Sequence, residues 1–109
     1  MRGRHRSWAA AGLLALAASG NALAHEGPHV EEARVSRQLA GNCAGCHGAN
    51  GKAVGAMSVL AGKPREYLIE QMQAFKSGKR PATVMQQIAK GYDERQIWLL
   101  ADFFSSQRY

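Results

Sequence analysis

Cys43-Ala44-Gly45-Cys46-His47 is the one cluster of residue types in this chain whose spacing dictates a chemistry. C-x-x-C-H is the attachment signal for c-type haem. Two thiols add to the two vinyl groups along one porphyrin edge, so both must reach neighbouring carbons. Two intervening residues, one a glycine, let the backbone loop between them. The histidine that follows then passes under the ring, where its imidazole can bind iron. The run therefore predicts one covalent haem c held by Cys43 and Cys46, with His47 as an axial ligand. Three other readings compete. Zinc needs four ligands, and with no second Cys pair only His25 and His29 are left to complete a set. A thioredoxin-like redox pair needs a βαβ context that the flanking sequence lacks. A disulfide across two residues constrains almost nothing.

The first 24 residues read as an export signal. Arg2, Arg4 and Arg6 form a basic start, Trp8 to Ala18 an apolar stretch, and Ala22-Leu23-Ala24 an A-x-A cleavage site. The apolar stretch is too short to span a bilayer, although an uncleaved anchor helix is the alternative. His5 separates Arg4 from Arg6, so no twin-arginine pair stands there. Cleavage after Ala24 leaves 85 of the 109 residues, expected in the periplasm, with no membrane span. Three of the fourteen Lys and Arg residues go with the signal, leaving eleven against eight acidic ones, a net charge of +3. That mild charge suits transient docking to an acidic redox partner. No basic run interleaved with aromatics exists, so nucleic acid is not an expected partner. A chain this small needs a staple to fold, and a covalent haem is one.

The elements around the motif read as helices. Residues 25–30 form a polar, flexible leader, and 31–109 the folded domain. His25-Glu26-Gly27-Pro28-His29 matches H-E-x-x-H, but Gly27 and Pro28 oppose the helix that a zinc-protease site requires. Ala33, Val35, Leu39 and Ala40 give a weak apolar stripe for a helix over 31–42 that runs directly into Cys43. Glycines at 48, 51 and 55 make 48–63 a loop wrapped around the haem. Pro64 opens a second helix that ends near Gly78, with Tyr67, Leu68, Gln71, Met72 and Phe75 at helical spacing. Met85 to Lys90 is one helical turn closed by Gly91. Asp93 caps the last helix with Gln96 as capping-box partner, and Ile97, Leu100, Ala101 and Phe104 form its apolar face. No strand signal occurs, so the chain is expected to be all-α, three to four helices around one haem.

The second iron ligand decides the job: a His/Met pair suits electron transfer, an open site small-molecule binding or catalysis. Met57 lies on the loop ten residues past His47, and Met72 on the packed face of the second helix. Met85 follows Pro81, with enough chain behind it to reach the far side of the haem, and is the favoured ligand. A haem sensor or catalyst with an exchangeable ligand is the alternative. Lys76, Lys79 and Arg80 are either a docking patch or a solvated helix end. Tyr67 and Trp98 either bond the haem region or pack with their polar tips toward water.

In this order of elements the chain resembles a class I cytochrome c, from Val35 to Phe104. A more specific likeness lies in Leu60-Ala61-Gly62-Lys63-Pro64, Gln71-Met72, and Ala74-Phe75-Lys76-Ser77-Gly78-Lys79-Arg80-Pro81. It continues through Thr83-Val84-Met85 and Ile88-Ala89-Lys90-Gly91-Tyr92. These strings resemble the cytochrome subunits of flavocytochrome c sulfide dehydrogenases. The resemblance implies haem attachment at Cys43 and Cys46, iron ligation by His47 and Met85, and crosswise packing of the first and last helices. It also implies an FAD-containing sulfide dehydrogenase subunit as electron donor and a soluble redox acceptor. On its own the chain would then be an electron-transfer protein rather than an enzyme; a free periplasmic shuttle to an oxidase or another dehydrogenase is the alternative. The family often has Gly-Pro in the loop after the haem motif, whose carbonyl steadies the ligating histidine. Gly55-Ala56 stands here, and the carbonyl of either residue is the expected acceptor from His47 Nδ1. Some relatives carry two haem domains; this chain has one haem motif.

Overall fold

The computed structural model describes residues 27–108, so the expected export signal of 1–24 and His25 and Glu26 of the expected leader lie outside the described residues. Four α-helices follow one another: α1 (Pro28–His47), α2 (Arg65–Ser77), α3 (Met85–Ala89) and α4 (Glu94–Ser105), with a short 3-10 turn at Ala49–Gly51. There is no strand among the described residues.

α1 is longer than the sequence pattern predicts, at both ends. Pro28 occupies its first turn, where a missing N–H costs nothing and the fixed φ is already helical. Pro28 to Val30, expected in the leader, are therefore helical. At the other end the helix does not stop at Asn42 but continues through Cys43, Cys46 and His47. The motif is thus a helical turn rather than a loop, and it places Cys43, Cys46 and His47 at i, i+3 and i+4 on one face. Gly41 and Gly45 do not break it, and a side chain at either would meet nothing within 4 Å. The stop comes at Gly48, whose φ of +79° few other residues adopt and whose N–H donates to Ala44 O at 2.9 Å.

α4 is the organising element, packed between α1 and α2. Its start is the capping box expected at Asp93: Asp93 Oδ1 accepts from the Gln96 N–H at 2.8 Å, and Gln96 Oε1 accepts from the Asp93 N–H at 3.0 Å. Leu100, Ala101 and Phe104 join Ala40 of α1 and Leu68 of α2 in one core, against which Leu39, Cys43 and Met72 pack. Ile97 is fully buried as well. So is Leu99, which lies off the predicted apolar face; a helix held on two sides buries more than one stripe. On the surface Arg95 of α4 reaches Glu32 of α1 at 3.0 Å.

The stretch between α1 and α2 is stitched down through its backbone. Gly51 O accepts from Leu60 N at 2.9 Å and Ala61 N at 3.2 Å, and Gly62 N donates to Phe104 O at 2.9 Å. Gly51 has φ +74°, and a Cβ there would fall 2.7 Å from the Phe104 ring. Backbone approach this close requires glycine.

Candidate functional site

A cavity of about 690 Å³ opens between the C-terminal turn of α1, the 56–60 stretch, α2 and α3. Cys43, Cys46 and His47 line it from α1, Leu68, Met72 and Phe75 from α2, and Met85 and Ile88 from α3. Leu100, Ala101 and Phe104 form its floor, so the core and the cavity share a wall. α1 packs on α4 and α3 packs on α2; the cavity brings His47 and Met85 into one site from separately anchored elements.

His47 is the most constrained side chain of the site. It is 9% exposed, and its Nδ1 lies 2.7 Å from the carbonyl oxygen of Ser58. A carbonyl only accepts, so Nδ1 must carry the proton, and in the neutral ring the lone pair then resides on Nε2. Such a bond to the outer nitrogen orients an imidazole for a metal and raises its basicity. The acceptor expected from the family pattern was Gly55 or Ala56; it is Ser58. The 48–62 stretch is held at Gly51 and Gly62, and this register delivers the carbonyl of residue 58 to the ring. A backbone acceptor leaves no side-chain signature, so nothing in the residue types marked Ser58.

No disulfide joins Cys43 and Cys46. Cys43 sits against the core and burial pushes its thiol up from the usual cysteine range, whereas Cys46 is exposed at the cavity rim. One turn of helix thus presents two thiols and an imidazole with an available Nε2 to an apolar cleft. This donor set fits a porphyrin bound by thioethers and ligated by histidine. It does not extend to His29. α1 is continuous from residue 28 to residue 47, so His29 lies about 21 Å along the helix axis from Cys43. Neither a zinc site on the two cysteines nor an iron ligand can come from there. His25, the other half of both readings, is outside the described residues. Among the described residues no three His, Cys, Asp or Glu side chains are grouped to hold a metal ion.

The remaining predicted residues separate. Met57 lines the cavity beside Ser58, on the stretch that holds His47. Met72 lines it too, but packs against the core. Met85 lines it from the first position of α3. Tyr67 belongs to the wall; Trp98 does not, and instead lies beneath the Arg65 guanidinium, 5.4 Å from the ring centroid, with Arg65 also reaching Asp102 at 3.5 Å. Lys76 Nζ donates to Tyr92 O at 2.5 Å, and Asn42 Nδ2 donates to the Tyr92 hydroxyl at 3.4 Å. Tyr92, which sequence reasoning left out of the site, thereby joins α1 and α2 at the cavity edge. No helix among the described residues is long and apolar enough to cross a membrane.

Comparison with known proteins agrees with this geometry. The cytochrome c family model matches residues 32–108. The chain is 40% identical over 97 residues to the cytochrome subunit of sulfide dehydrogenase of Chlorobaculum tepidum, covering 84% of this chain and 88% of that protein. It is 35% identical over 83 residues to cytochrome c-552 of Acidithiobacillus ferridurans, covering 76% of this chain and 36% of that one. It is 38% identical over 68 residues to the thiosulfate dehydrogenase electron acceptor of Thiomonas intermedia, covering 61% and 31% respectively. The chain thus spans about a third of the length of the last two. The family match starts inside α1 and ends beyond α4, taking in every element that walls the cavity, and the chain belongs to the cytochrome c family, electron-transfer proteins with covalent haem c.

Proposed function

We propose that this chain is an exported mono-haem electron carrier that takes single electrons from the FAD-bearing subunit of a sulfide dehydrogenase and passes them to a soluble acceptor. In this reading the signal is removed after Ala24 and the carrier works in the periplasm. Cys43 and Cys46 would hold the haem covalently, and His47 Nε2 and Met85 Sδ would bind its iron. The observation that carries the reading is the single cavity that receives both thiols, a histidine of fixed tautomer and a methionine from an opposite element. The 40% identity to a sulfide dehydrogenase cytochrome subunit over most of both chains supports the choice of partner.

When bound, haem supplies a one-electron ferric/ferrous couple. The residues of the chain set the conditions for it. Ser58 O holds His47 so that Nε2 is available without rearrangement. Leu68, Phe75, Leu100 and Phe104 exclude water from the cavity floor, which disfavours the more highly charged oxidised state. Of the methionines, Met57 sits beside Ser58 and shares the side of His47, and Met72 is engaged in the core, which leaves Met85 for the opposite face. Thioether ligation by Met85 would raise the potential of that couple. The sulfide chemistry belongs to the flavoprotein, and the chain alone is not an enzyme.

A free periplasmic shuttle is the second reading, supported by the resemblance to a protein named as an electron acceptor of thiosulfate dehydrogenase. Purification of the protein from its native periplasm separates the two. Flavin and haem absorbance in one gel-filtration peak at near-equal stoichiometry is expected for the flavocytochrome. A flavin-free peak at monomer size contradicts it and leaves the shuttle.

A further inference from the structure

Arg80 differs from the other cations at the end of α2. Its guanidinium lies over the Phe75 ring, 4.6 Å from the centroid. Its Nη1 donates to Gln71 Oε1. Its amide N–H donates to Ala74 O at 3.0 Å, and its carbonyl accepts from Gln86 Nε2 at 3.2 Å. Gln71, Ala74 and Phe75 share one face of α2 at i, i+3 and i+4. Gln86 is the residue directly after Met85 in α3. Arg80 therefore fastens the 78–84 connector backward to α2 by three links and forward to the start of α3 by one. Among the described residues no carboxylate pairs with it. Arg80, Gln71, Phe75 and Met85 all line the cavity. Neighbouring Lys76 is committed to Tyr92 O, so the three cations do not form one patch of equivalent charges.

We propose that Arg80 is the positioning residue for Met85: its side chain, clamped on α2 by Phe75 and Gln71, holds the connector at the carbonyl from which Gln86 hangs, and so keeps the first turn of α3 at the cavity. The proposal rests on Met85 being the axial ligand. α3 has five residues, too few to persist without support from its flanks. Between Gly78 and Val84, Arg80 is tied in both directions, backward by its side chain and amide and forward through its carbonyl to the Gln86 side chain. Loosening them raises the fraction of molecules in which Met85 is away from iron. An exogenous ligand that binds only that fraction gains apparent affinity in proportion to it.

The test is titration of imidazole into the ferric holoprotein, followed by absorbance, for wild type, Arg80→Gln, Arg80→Lys, Gln86→Ala and Met85→Ala. The sulfur-to-iron charge-transfer band and thermal melting are recorded on the same samples. Arg80→Gln and Gln86→Ala are expected to bind imidazole on the order of tenfold more tightly than wild type, the loss of one charged hydrogen bond or less. Met85→Ala should bind it more tightly still, and Arg80→Lys, which keeps a cation over Phe75, should recover part of the wild-type behaviour. Wild-type affinity in both Arg80→Gln and Gln86→Ala, with tight binding in Met85→Ala, would overturn the positioning role and leave ligation by Met85 standing. Wild-type affinity in Met85→Ala would overturn the ligation and the proposal with it. Gln86→Ala, which breaks only the forward link, carries the test if Arg80→Gln does not fold.

Discussion

His47 and Met85 reach the same cavity from two regions built on different principles. His47 closes a 20-residue helix that packs along α4, and its ring is pinned by Ser58 O, itself registered through Gly51 and Gly62. Met85 opens a five-residue helix that packs on α2 and buries Ala89. The first region is a long helix whose last side chain is pinned by a backbone carbonyl; the second is a short helix on α2 whose approach is tied at Arg80. A helix of five residues is marginal without its flanks, whereas one of twenty is not. If Met85 binds iron as proposed, ligand exchange is expected on its side and attachment on the α1 side.

The largest expected effect is on attachment. The double variant Cys43→Ser/Cys46→Ser should retain no covalent haem, read as the mass of the denatured protein; each single variant should keep one thioether. Haem remaining covalently bound in the double variant would end the account of the α1 face. Next in size is Phe104→Ala, which empties the floor shared by core and cavity. It should cost about 3–5 kcal/mol in denaturant unfolding, destabilising both regions together. Gly51→Ala forces a Cβ against the Phe104 ring at positive φ and should cost about 2–3 kcal/mol. It also disturbs the stretch that carries Ser58, so the His47 ring resonances should shift while Met85 stays bound. A shift confined to Met85 would reverse the comparison. The smallest effect is that of Asp93→Ala, which removes one half of the capping box and should cost about 1 kcal/mol, measured by thermal melting of the holoprotein. A loss as large as that of Phe104→Ala would mean that α4 is held by its start rather than by its packing.

How far these features can be read from residue types depends on whether they are local. The haem motif and the Asp93–Gln96 box are each complete within five residues; the box forms as expected, and the three side chains of the motif line one cavity. The stripe of Ile97, Leu100, Ala101 and Phe104 is strong enough to mark α4 without help. α1 is the opposite case: its stripe of Ala33, Val35, Leu39 and Ala40 is weak, and Gly41 and Gly45 punctuate it. Packing on α4 overrides that local weakness, so the helix runs on through His47. Leu99 looks solvent-facing until α4 is known to be gripped from two sides. The partner of His47 was expected two or three residues too early because the carbonyl's position depends on how Gly51 and Gly62 anchor the stretch. Arg80 reads as one more cation beside Lys76 and Lys79; only the fold of the connector over Phe75 separates it from them.

Ligation by Met85 is the claim on which the contrast between the two regions depends, and the proton NMR spectrum of the reduced holoprotein tests it most directly. A methyl held against iron lies over the porphyrin face, where the ring current shifts it far upfield of every other methyl. The account predicts one such singlet in wild type, still present in Met57→Leu and Met72→Leu and absent in Met85→Ala. An upfield singlet that survives in Met85→Ala, or none in wild type, would contradict it.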